Sequence, residues 1–356
     1  MQKLRAAALL SASALILAGC STAAGGGEAD DGRIRVTAST NVYGSLAEQI
    51  GGDRVEVTSI ITSARQDPHS YEASARDRLT VQDADLVIKN GGGYDAFVDT
   101  LLDGSDAHVL TAVEFSHDFP DSEGHDDEHE HDDADEHADE HADADADADE
   151  HADEEHAEHD EHADHDHAED EHDEHAGHDH IEGFNEHVWF DPHTMIHVVE
   201  GISDELSEID PDGAAEFTAS ADEIIAELEG FEADLETLST EANGAAVFIT
   251  EPLPGYIAAA AGLEDVTPKG FAEAVEEGND VAPATLLDAL EVIDSGDVAV
   301  LLTNAQTGGA ETQRVEEAAE AAGIPVVAFT ELLEDGSSYA EWMRDAIQNL
   351  ADALDS

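Results

Sequence analysis

The 356-residue chain is poor in basic residues: 12 lysines and arginines stand against 88 aspartates and glutamates, which gives a formal net charge of -76. Such a chain repels nucleic acid and anionic membrane headgroups, so we expect neither as a partner. Residues 125–180 hold 29 of the acidic residues, and the remainder keeps 59 against the same 12 bases. The folded part is therefore itself acidic, as expected of a surface adapted to a saline or otherwise demanding exterior.

Cysteine is almost absent as well. Cys20 is the only one, so the chain has no internal disulfide, no thiolate metal ligand and no cysteine nucleophile to use. It follows a short basic segment and an apolar run over residues 6–18, which is typical of a secretory signal and too short for a mature membrane span. Residues 17–20 resemble the bacterial lipoprotein signal. We predict a signal peptide over residues 1–20, lipidation of Cys20 and a flexible tether over residues 21–33.

Strands and helices alternate through most of the remaining sequence, which indicates an α/β fold with largely parallel sheets. We predict a first lobe over residues 34–212, a linking helix over 213–243 and a second lobe over 244–356. Asn243-Gly244 ends the linking helix. The predicted strands cover residues 34–39, 55–60, 86–90, 108–113, 245–250, 256–261, 298–302 and 326–330. Two α/β lobes joined by one long helix are the simplest architecture for this order.

A low-complexity insertion interrupts the first lobe over residues 118–182. Residues 125–180 contain 15 of the 21 histidines and no lysine or arginine, a composition typical of metal-collecting tracts. The segment has too little apolar surface to offset the entropy of ordering, so we expect disorder in the absence of metal. Matches to the H-x-x-E-H peptidase pattern, as at residues 125–129, arise there by chance. We expect several low-affinity zinc sites in this run.

Two histidines of the first lobe occupy positions where α/β sheets place ligand groups. His69 lies in an Asp-Pro-His loop after the strand at 55–60, and that loop leads into a helix. His187 directly follows the insertion and precedes an apolar run of strand type over residues 188–190. Asp191 and Pro192 are then the N-cap and the first residue of a helix. Together, the two histidines are candidates for the imidazole half of a metal site.

Two glutamates of the second lobe follow strands in the same way. Glu251 comes after the strand at 245–250, and Glu331 after the strand at 326–330. Either glutamate alone is most simply a capping or solvated carboxylate. As a pair at equivalent strand ends, they form an oxygen-donor half that faces the two imidazoles. Of the remaining histidines outside the insertion, His193 and His197 are expected to be surface or cap residues. We expect no partner within reach of His108 or His117.

Several segments of the chain resemble motifs of one known family, the solute-binding proteins of bacterial zinc and manganese ABC importers. Residues 67–72, Asp-Pro-His-Ser-Tyr-Glu, and residues 84–91 resemble the family's first-ligand loop and its next strand. Residues 186–192, Glu-His-Val-Trp-Phe-Asp-Pro, resemble its second-ligand motif, and a His-rich acidic insertion before that motif is characteristic of zinc-handling members. Residues 250–256 fall at the third ligand, and residues 329–331 at the fourth. The resemblance covers nearly the whole mature chain.

The resemblance implies a metal held in the cleft between two lobes by His69, His187, Glu251 and Glu331. Many zinc importers place histidine at the third position, whereas Glu251 is more similar to manganese members, and the fourth position is commonly aspartate. Two imidazoles and two carboxylates suit zinc, while oxygen donors favour harder ions such as manganese. Zinc has the higher intrinsic affinity at a shared site. We therefore rank Zn²⁺ first and Mn²⁺ as the alternative.

The family resemblance implies a binding protein that captures a divalent metal outside the cytoplasmic membrane, at the cell surface or in the periplasm, and delivers it to an ABC permease and its ATPase. We expect a monomer, lipid-anchored through Cys20 on the outer face of the bacterial cytoplasmic membrane. A metal buffer or adhesin would use the same site without a transporter. We do not predict an enzyme, because a zinc hydrolase needs an open coordination position and a positioned base. Four protein ligands leave no such position.

Overall fold

Two four-stranded sheets form the framework of the protein in a computed structural model. The structure describes residues 32–63, 65–120, 181, 183–334 and 336–356. The predicted signal peptide, Cys20, nearly all of the tether and the His-rich run lie outside the described residues. Within the part of the chain that is described, no helix combines the length and apolar character needed to cross a membrane.

The first sheet is parallel throughout, with the strand order β2-β1-β3-β4. The chain passes from β1 to β2 on one side of β1 and then to β3 on the other side, so the strand order reverses at β1. Parallel sheets commonly bind ligands at the carboxyl ends of the strands where the order reverses. Short 3-10 helices cover Gly52–Arg54 and Ala112–Phe115. The strands and helices are β1 Ile34–Thr40, α1 Asn41–Gly51, β2 Val55–Ile61, α2 Ala75–Gln82, β3 Leu86–Lys89, α3 Phe97–Leu102 and β4 His108–Thr111.

Two long helices follow, α4 over Pro192–Ile209 and α5 over Ala214–Ala242. Asp191 caps α4 by accepting hydrogen bonds from the first backbone N–H groups, and Pro192 occupies the first helical position, as the sequence predicts. The helix α5 buries one apolar stripe against the rest of the protein. Asn243 ends it in a left-handed conformation with φ 48°.

The second sheet repeats the order of the first, β6-β5-β7-β8, and is also parallel. Because the two sheets share one topology, their strand ends occupy equivalent places in the two lobes. The elements are β5 Ala246–Ile249, α6 Gly255–Ala260, β6 Glu264–Asp265, α7 Phe271–Glu276, α8 Pro283–Asp294, β7 Val298–Asn304, α9 Ala310–Ala322, β8 Val326–Phe329 and α10 Tyr339–Leu354.

Two predicted strands are wrong. Residues 256–260 belong to the helix α6, because the run of four alanines over residues 258–261 favours a helix, and the next strand, which pairs with β5, is the short Glu264–Asp265. Residues 188–190 form a 3-10 helix, closed by a hydrogen bond of 3.0 Å from the Asp191 N–H to the Val188 carbonyl. All three of its side chains are buried. An apolar run that is buried on every side carries no periodicity from which a strand and a helix can be told apart.

One hydrophobic core continues from the first sheet through α1, α4, α5 and α10 to the second sheet. Contacts between the lobes add to it at the carboxyl ends of the sheets. The side-chain amide of Asn41 donates to the Leu333 carbonyl at 2.9 Å and its oxygen accepts from the Leu333 N–H at 3.1 Å. Tyr339 donates to the Trp189 carbonyl at 2.8 Å. The strand ends of the two lobes therefore face each other across one cleft.

Candidate metal centre

His69 is held in its loop by a local turn. The carboxylate of Asp67 accepts hydrogen bonds from the His69 backbone N–H at 3.0 Å and from the Ser70 hydroxyl at 2.7 Å, and this turn fixes the loop between β2 and α2. The imidazole packs edge-on against the ring of Tyr94, with the centroids 4.8 Å apart. Its side chain is only 6% exposed. The Asp-Pro-His sequence thus presents a buried imidazole rather than a solvated one.

His187 is oriented by its neighbour Asn185. The Asn185 side-chain oxygen accepts from both the backbone N–H of His187 at 3.1 Å and its ring Nδ1 at 2.8 Å. Because Nδ1 is the donor in this pair, Nε2 is the ring nitrogen that carries the lone pair, which is the arrangement that metal-binding histidines use. The ring also packs against Trp189, with the centroids 5.1 Å apart. The rings of His69 and His187 lie 6.1 Å apart.

The segment that carries His187 is anchored to both lobes. The amide of Asn90, at the end of β3, donates to the Glu186 carbonyl at 2.9 Å. From the second lobe, Tyr256 donates to the Asn185 carbonyl at 2.9 Å, and the Asn185 amide donates to the Pro252 carbonyl at 3.0 Å. These bonds fix the imidazole relative to the second lobe as well as to its own lobe.

Glu251 and Glu331 lie at the strand ends where the sequence places them, and both are buried. The amide of Asn304, at the end of β7, donates to both carboxylates, at 2.8 Å and 2.7 Å respectively. The second oxygen of Glu331 accepts from the Tyr94 hydroxyl at 3.1 Å, and that of Glu251 accepts from the Thr307 hydroxyl. The two carboxylates are therefore paired through one amide and reach the first lobe through Tyr94.

A third carboxylate of the second lobe comes closer to the imidazoles. Glu276 is the last residue of α7, and its Oε1 lies 3.6 Å from Nε2 of His187. His69, His187 and Glu276 each offer a donor atom, and the three atoms all lie within 4.8 Å of one another. In the part of the chain that is described, neither Glu251 nor Glu331 belongs to such a group. The structure thus brings the two predicted histidines together and adds an unpredicted carboxylate.

The carboxylates of the cleft retain protons more strongly than usual. Burial, reinforced by the charges of Glu186, Glu251 and Glu331, raises the pKa of Glu276 from 4.5 to about 9. Burial and the charge of Glu251 raise the pKa of Glu331 to about 7, against the opposing hydrogen bonds from Asn304 and Tyr94. Burial also raises the pKa of Glu251. A divalent cation beside these groups would take the place of the protons that they hold.

Sequence reasoning missed the groups that position the donors. Asn304 is the last residue of β7, at the same edge of the sheet as Glu251 and Glu331, so the strand-end argument could have found it. Tyr94 and Asn185 act through ring packing and hydrogen bonds, for which the sequence carries no direct signal. Glu276 is one acid among many in an acidic chain, and its helix was not predicted.

The histidines outside the cleft lie at the surface. His193 and His197 contact the carboxylates of Glu232 and Glu200 there. The expectation that His108 and His117 have no partner in reach is wrong. Nδ1 of His108 lies 2.7 Å from a carboxylate oxygen of Glu205, and Nε2 of His117 lies 3.3 Å from one of Asp118. His108, Glu205 and Glu208 form a second group of possible donors, but it is largely exposed, as acidic groups on a surface often are.

Two α/β lobes with parallel sheets, a shared core and a cleft lined by imidazoles on one side and carboxylates on the other define a two-lobed solute-binding protein with a cation-type site. The match to a family model makes the assignment specific. The chain belongs to the ZnuA family, zinc-uptake complex component A, periplasmic, whose model matches residues 36–353.

Individual relatives of this chain share little sequence identity with it. The chain is 24% identical over 220 residues to the manganese-binding lipoprotein MntA of Halalkalibacterium halodurans, covering 62% of this chain and 54% of the relative. It is 24% identical over 295 residues to the zinc-binding lipoprotein AdcA of Streptococcus pneumoniae, covering 82% and 48%. The chain thus spans about half the length of these curated relatives. The periplasmic zinc binding protein TroA from Treponema pallidum shares the fold, with a TM-score of 0.63, 16% identity and coverage of 91% and 99%.

Proposed function

We propose that this protein is an extracytoplasmic binding protein that captures a divalent metal, zinc in the first place, and delivers it to an ABC importer. The observation that carries this proposal is that His69 and His187 of the first lobe meet Glu276, a carboxylate of the opposite lobe. One donor atom from each of the three residues lies within 4.8 Å of the other two. Buried imidazoles and carboxylates that meet from two lobes suit the capture of a cation. The metal is the cargo, so the site has to bind it tightly and then release it.

The proposed ligands are His69 and His187 from the first lobe with Glu251 and Glu331 from the second. Because Nδ1 of His187 donates to Asn185, Nε2 is the ring nitrogen that would bind the metal. Glu251 and Glu331 hold their oxygens at the same cleft through the shared amide of Asn304. This set joins two neutral nitrogen donors to two anionic oxygen donors, which zinc accepts in a closed four-coordinate site.

Zinc is favoured over manganese by intrinsic affinity, because a shared site of nitrogen and oxygen donors binds zinc more tightly. The alternative, manganese, is supported by the number of carboxylates in the cleft, since harder ions prefer oxygen donors. The relatives are divided in the same way, since AdcA is a zinc-binding and MntA a manganese-binding lipoprotein. Competition of excess manganese against bound zinc distinguishes them: zinc stays bound if it is the native cargo.

The remaining parts of the proposal concern the localisation of the protein and its partners. The first lobe over residues 34–212 and the second over 244–356 would stand outside the membrane, anchored through lipid on Cys20, and a monomer would dock on the permease that works with an ATPase. Nucleic acid is not an expected partner because the chain is strongly acidic. A closed set of four ligands also leaves no open position for hydrolytic chemistry, so we propose no enzymatic role.

The binding function is tested by isothermal titration with zinc, using the mature protein and a variant that lacks residues 126–179. We expect one tight site in both proteins. A chain that binds no metal tightly in either form would contradict the proposal. Growth of a deletion strain under zinc limitation, with recovery on added zinc, separates an importer component from a buffer or an adhesin, which would leave uptake unchanged.

A further inference from the structure

Glu276 stands out among the carboxylates of the cleft by its position. It ends the short helix α7 of the second lobe, and its side chain is only 10% exposed. Its Oε1 lies 3.6 Å from Nε2 of His187, the ring nitrogen that carries the lone pair when Nδ1 donates to Asn185. Glu276 also completes the group with His69 in which all donor atoms lie within 4.8 Å. A cation at the imidazoles would therefore be within reach of this carboxylate.

Hydrogen bonding separates Glu276 from the two proposed carboxylate ligands. Both oxygens of Glu251 and both oxygens of Glu331 accept hydrogen bonds, from Thr307, Asn304 and Tyr94. Among the described residues, Oε1 of Glu276 is buried and has no hydrogen-bond partner. A buried polar atom without a partner is costly and is retained where a ligand or a function compensates for it.

The burial of Glu276 is specific to this residue and does not follow from the acidity of its helix. Glu277, the next residue, is exposed, and its carboxylate accepts a hydrogen bond from the Asn279 side chain at 2.8 Å. Glu273, one turn earlier, is exposed and caps the start of α7 by accepting from the Gly270 N–H at 3.0 Å. Only Glu276 of these three glutamates points at the imidazoles, so general acidity does not explain its place.

We propose that Glu276 is a further ligand of the metal, supplied by the second lobe to the cation that His69 and His187 hold. This inference rests on the proposed function, since it assumes that the cleft carries a metal. An additional oxygen donor raises the coordination number and makes the site harder, and both changes favour manganese relative to zinc. Glu276 would accordingly set how well the site accepts the harder ion, while the imidazoles dominate the binding of zinc.

The test compares Glu276→Gln with Glu277→Gln in the full mature chain. Each variant removes one carboxylate from the same end of α7, but only the first removes a donor from the cleft. Chelator competition measures the tightest site for zinc and for manganese separately, which excludes weaker sites elsewhere in the chain. The visible spectrum of each protein, loaded with less than one equivalent of Co²⁺, reports the ligand field at that site. Thermal unfolding of the metal-free proteins checks that both variants fold.

We expect Glu276→Gln to weaken zinc binding by at least roughly tenfold, the lower bound seen when even an outer-shell partner is lost. Manganese binding should fall by a larger factor, and the cobalt spectrum should change. Glu277→Gln should leave both affinities and the spectrum as in the wild type. Glu276→Asp, which retains a shortened carboxylate, provides a second variant with an intermediate loss if the glutamine variant does not fold.

Equal affinities for both metals in Glu276→Gln and the wild type would overturn the assignment of Glu276 while leaving the proposed function intact. So would a loss of affinity with an unchanged cobalt spectrum, or an equal loss in Glu277→Gln, because a general charge effect would then be sufficient. A wild-type chain that binds neither metal tightly would overturn the proposed function and, with it, this inference.

Discussion

The two walls of the cleft hold their functional groups by different means. On the first lobe, the imidazoles of His69 and His187 are fixed by ring packing on Tyr94 and Trp189, and His187 also by the hydrogen bond to Asn185. On the second lobe, carboxylates are buried near one another, and their burial, together with their mutual repulsion, raises their pKa values. The first wall presents two oriented imidazoles, whereas the second presents several ionisable carboxylates.

This difference indicates a division of roles between the lobes. The imidazoles are already oriented before any metal arrives, so they should contribute most of the binding free energy and of the preference for zinc. The carboxylates cannot all be ionised together at close range, so a divalent cation relieves repulsion on the second wall as it binds. The carboxylates of the second wall should therefore determine how many protons are released when the metal binds, and how tightly the site binds harder ions such as manganese.

The largest expected effect is the loss of an imidazole. His187→Ala should weaken zinc binding by more than roughly 100-fold, the upper end of the range for outer-shell partners, because a ligand of the metal itself is removed. Isothermal titration of the variant that lacks residues 126–179 measures this change. His193→Ala, at an exposed position on α4, is the matched control and should bind as the wild type does. Unchanged one-to-one affinity in His187→Ala would contradict the assignment of the first wall.

The loss of one carboxylate from the second wall should weaken zinc binding less than the loss of an imidazole does. Glu331→Gln retains the shape and the hydrogen-bonding capacity of the side chain but removes the charge, so we expect zinc binding to weaken by roughly tenfold to 100-fold. Glu334→Gln, three residues later and exposed, removes the same charge outside the cleft. The two variants are compared by chelator competition. A loss in Glu331→Gln as large as that in His187→Ala would remove the distinction between the walls.

The metal-free protein should become less stable as the pH rises from about 4.5 to about 9. Below about 4.5 the carboxyl of Glu276 is protonated in both the folded and the unfolded chain, so it does not make the free energy of unfolding depend on pH. Above about 4.5 the unfolded carboxyl ionises while the folded one, with its pKa raised to about 9, keeps its proton, and rising pH favours the unfolded state until the folded group ionises too. Glu331, with a pKa of about 7, acts in the same direction over a narrower range. Among the described residues, the ionisable groups that face this cleft include Asp67, His69, Tyr94, Glu186, His187, Glu251, Glu276 and Glu331.

Thermal unfolding in a chelator at pH 5, 7 and 9 measures this dependence, and Glu276→Gln isolates the part due to one group. The midpoint of the wild type should fall more steeply with pH than that of the variant. Saturating zinc should reverse the trend, because the metal binds the ionised carboxylates and protons compete with it at low pH. Parallel midpoints in wild type and variant would show that Glu276 carries no buried proton.

The smallest expected effect on the tight site comes from deleting residues 126–179. This deletion removes the histidine-rich run but none of the residues of the cleft. We expect several weak zinc sites to be lost and the tight affinity to be retained, with slower growth only in chelator-treated medium, where the run would raise the local metal concentration. Loss of the tight site on deletion would make the run part of the site.

Most strands, and the site residues that follow them, could be predicted from the sequence because local patterns determine where strands lie. Parallel strands place Glu251 and Glu331 at the carboxyl ends of their strands, and Asp191 and Pro192 set the start of α4 shortly after His187. The strand predicted at residues 256–261 failed because an alanine run carries no alternating pattern, and α7 is too short to show one. Glu276 could not be identified because its burial depends on contacts between distant segments.

The central claim is that one metal joins imidazoles of the first lobe to carboxylates of the second. A crystal structure of the zinc-loaded protein, with the metal located by its anomalous scattering, tests this claim most directly. We predict a single strong site with Zn–N distances near ~2.0–2.1 Å to His69 and His187, and at least one carboxylate oxygen of the second lobe at a similar distance. Zinc bound by residues of one lobe alone, or at a position outside the cleft, would contradict the account.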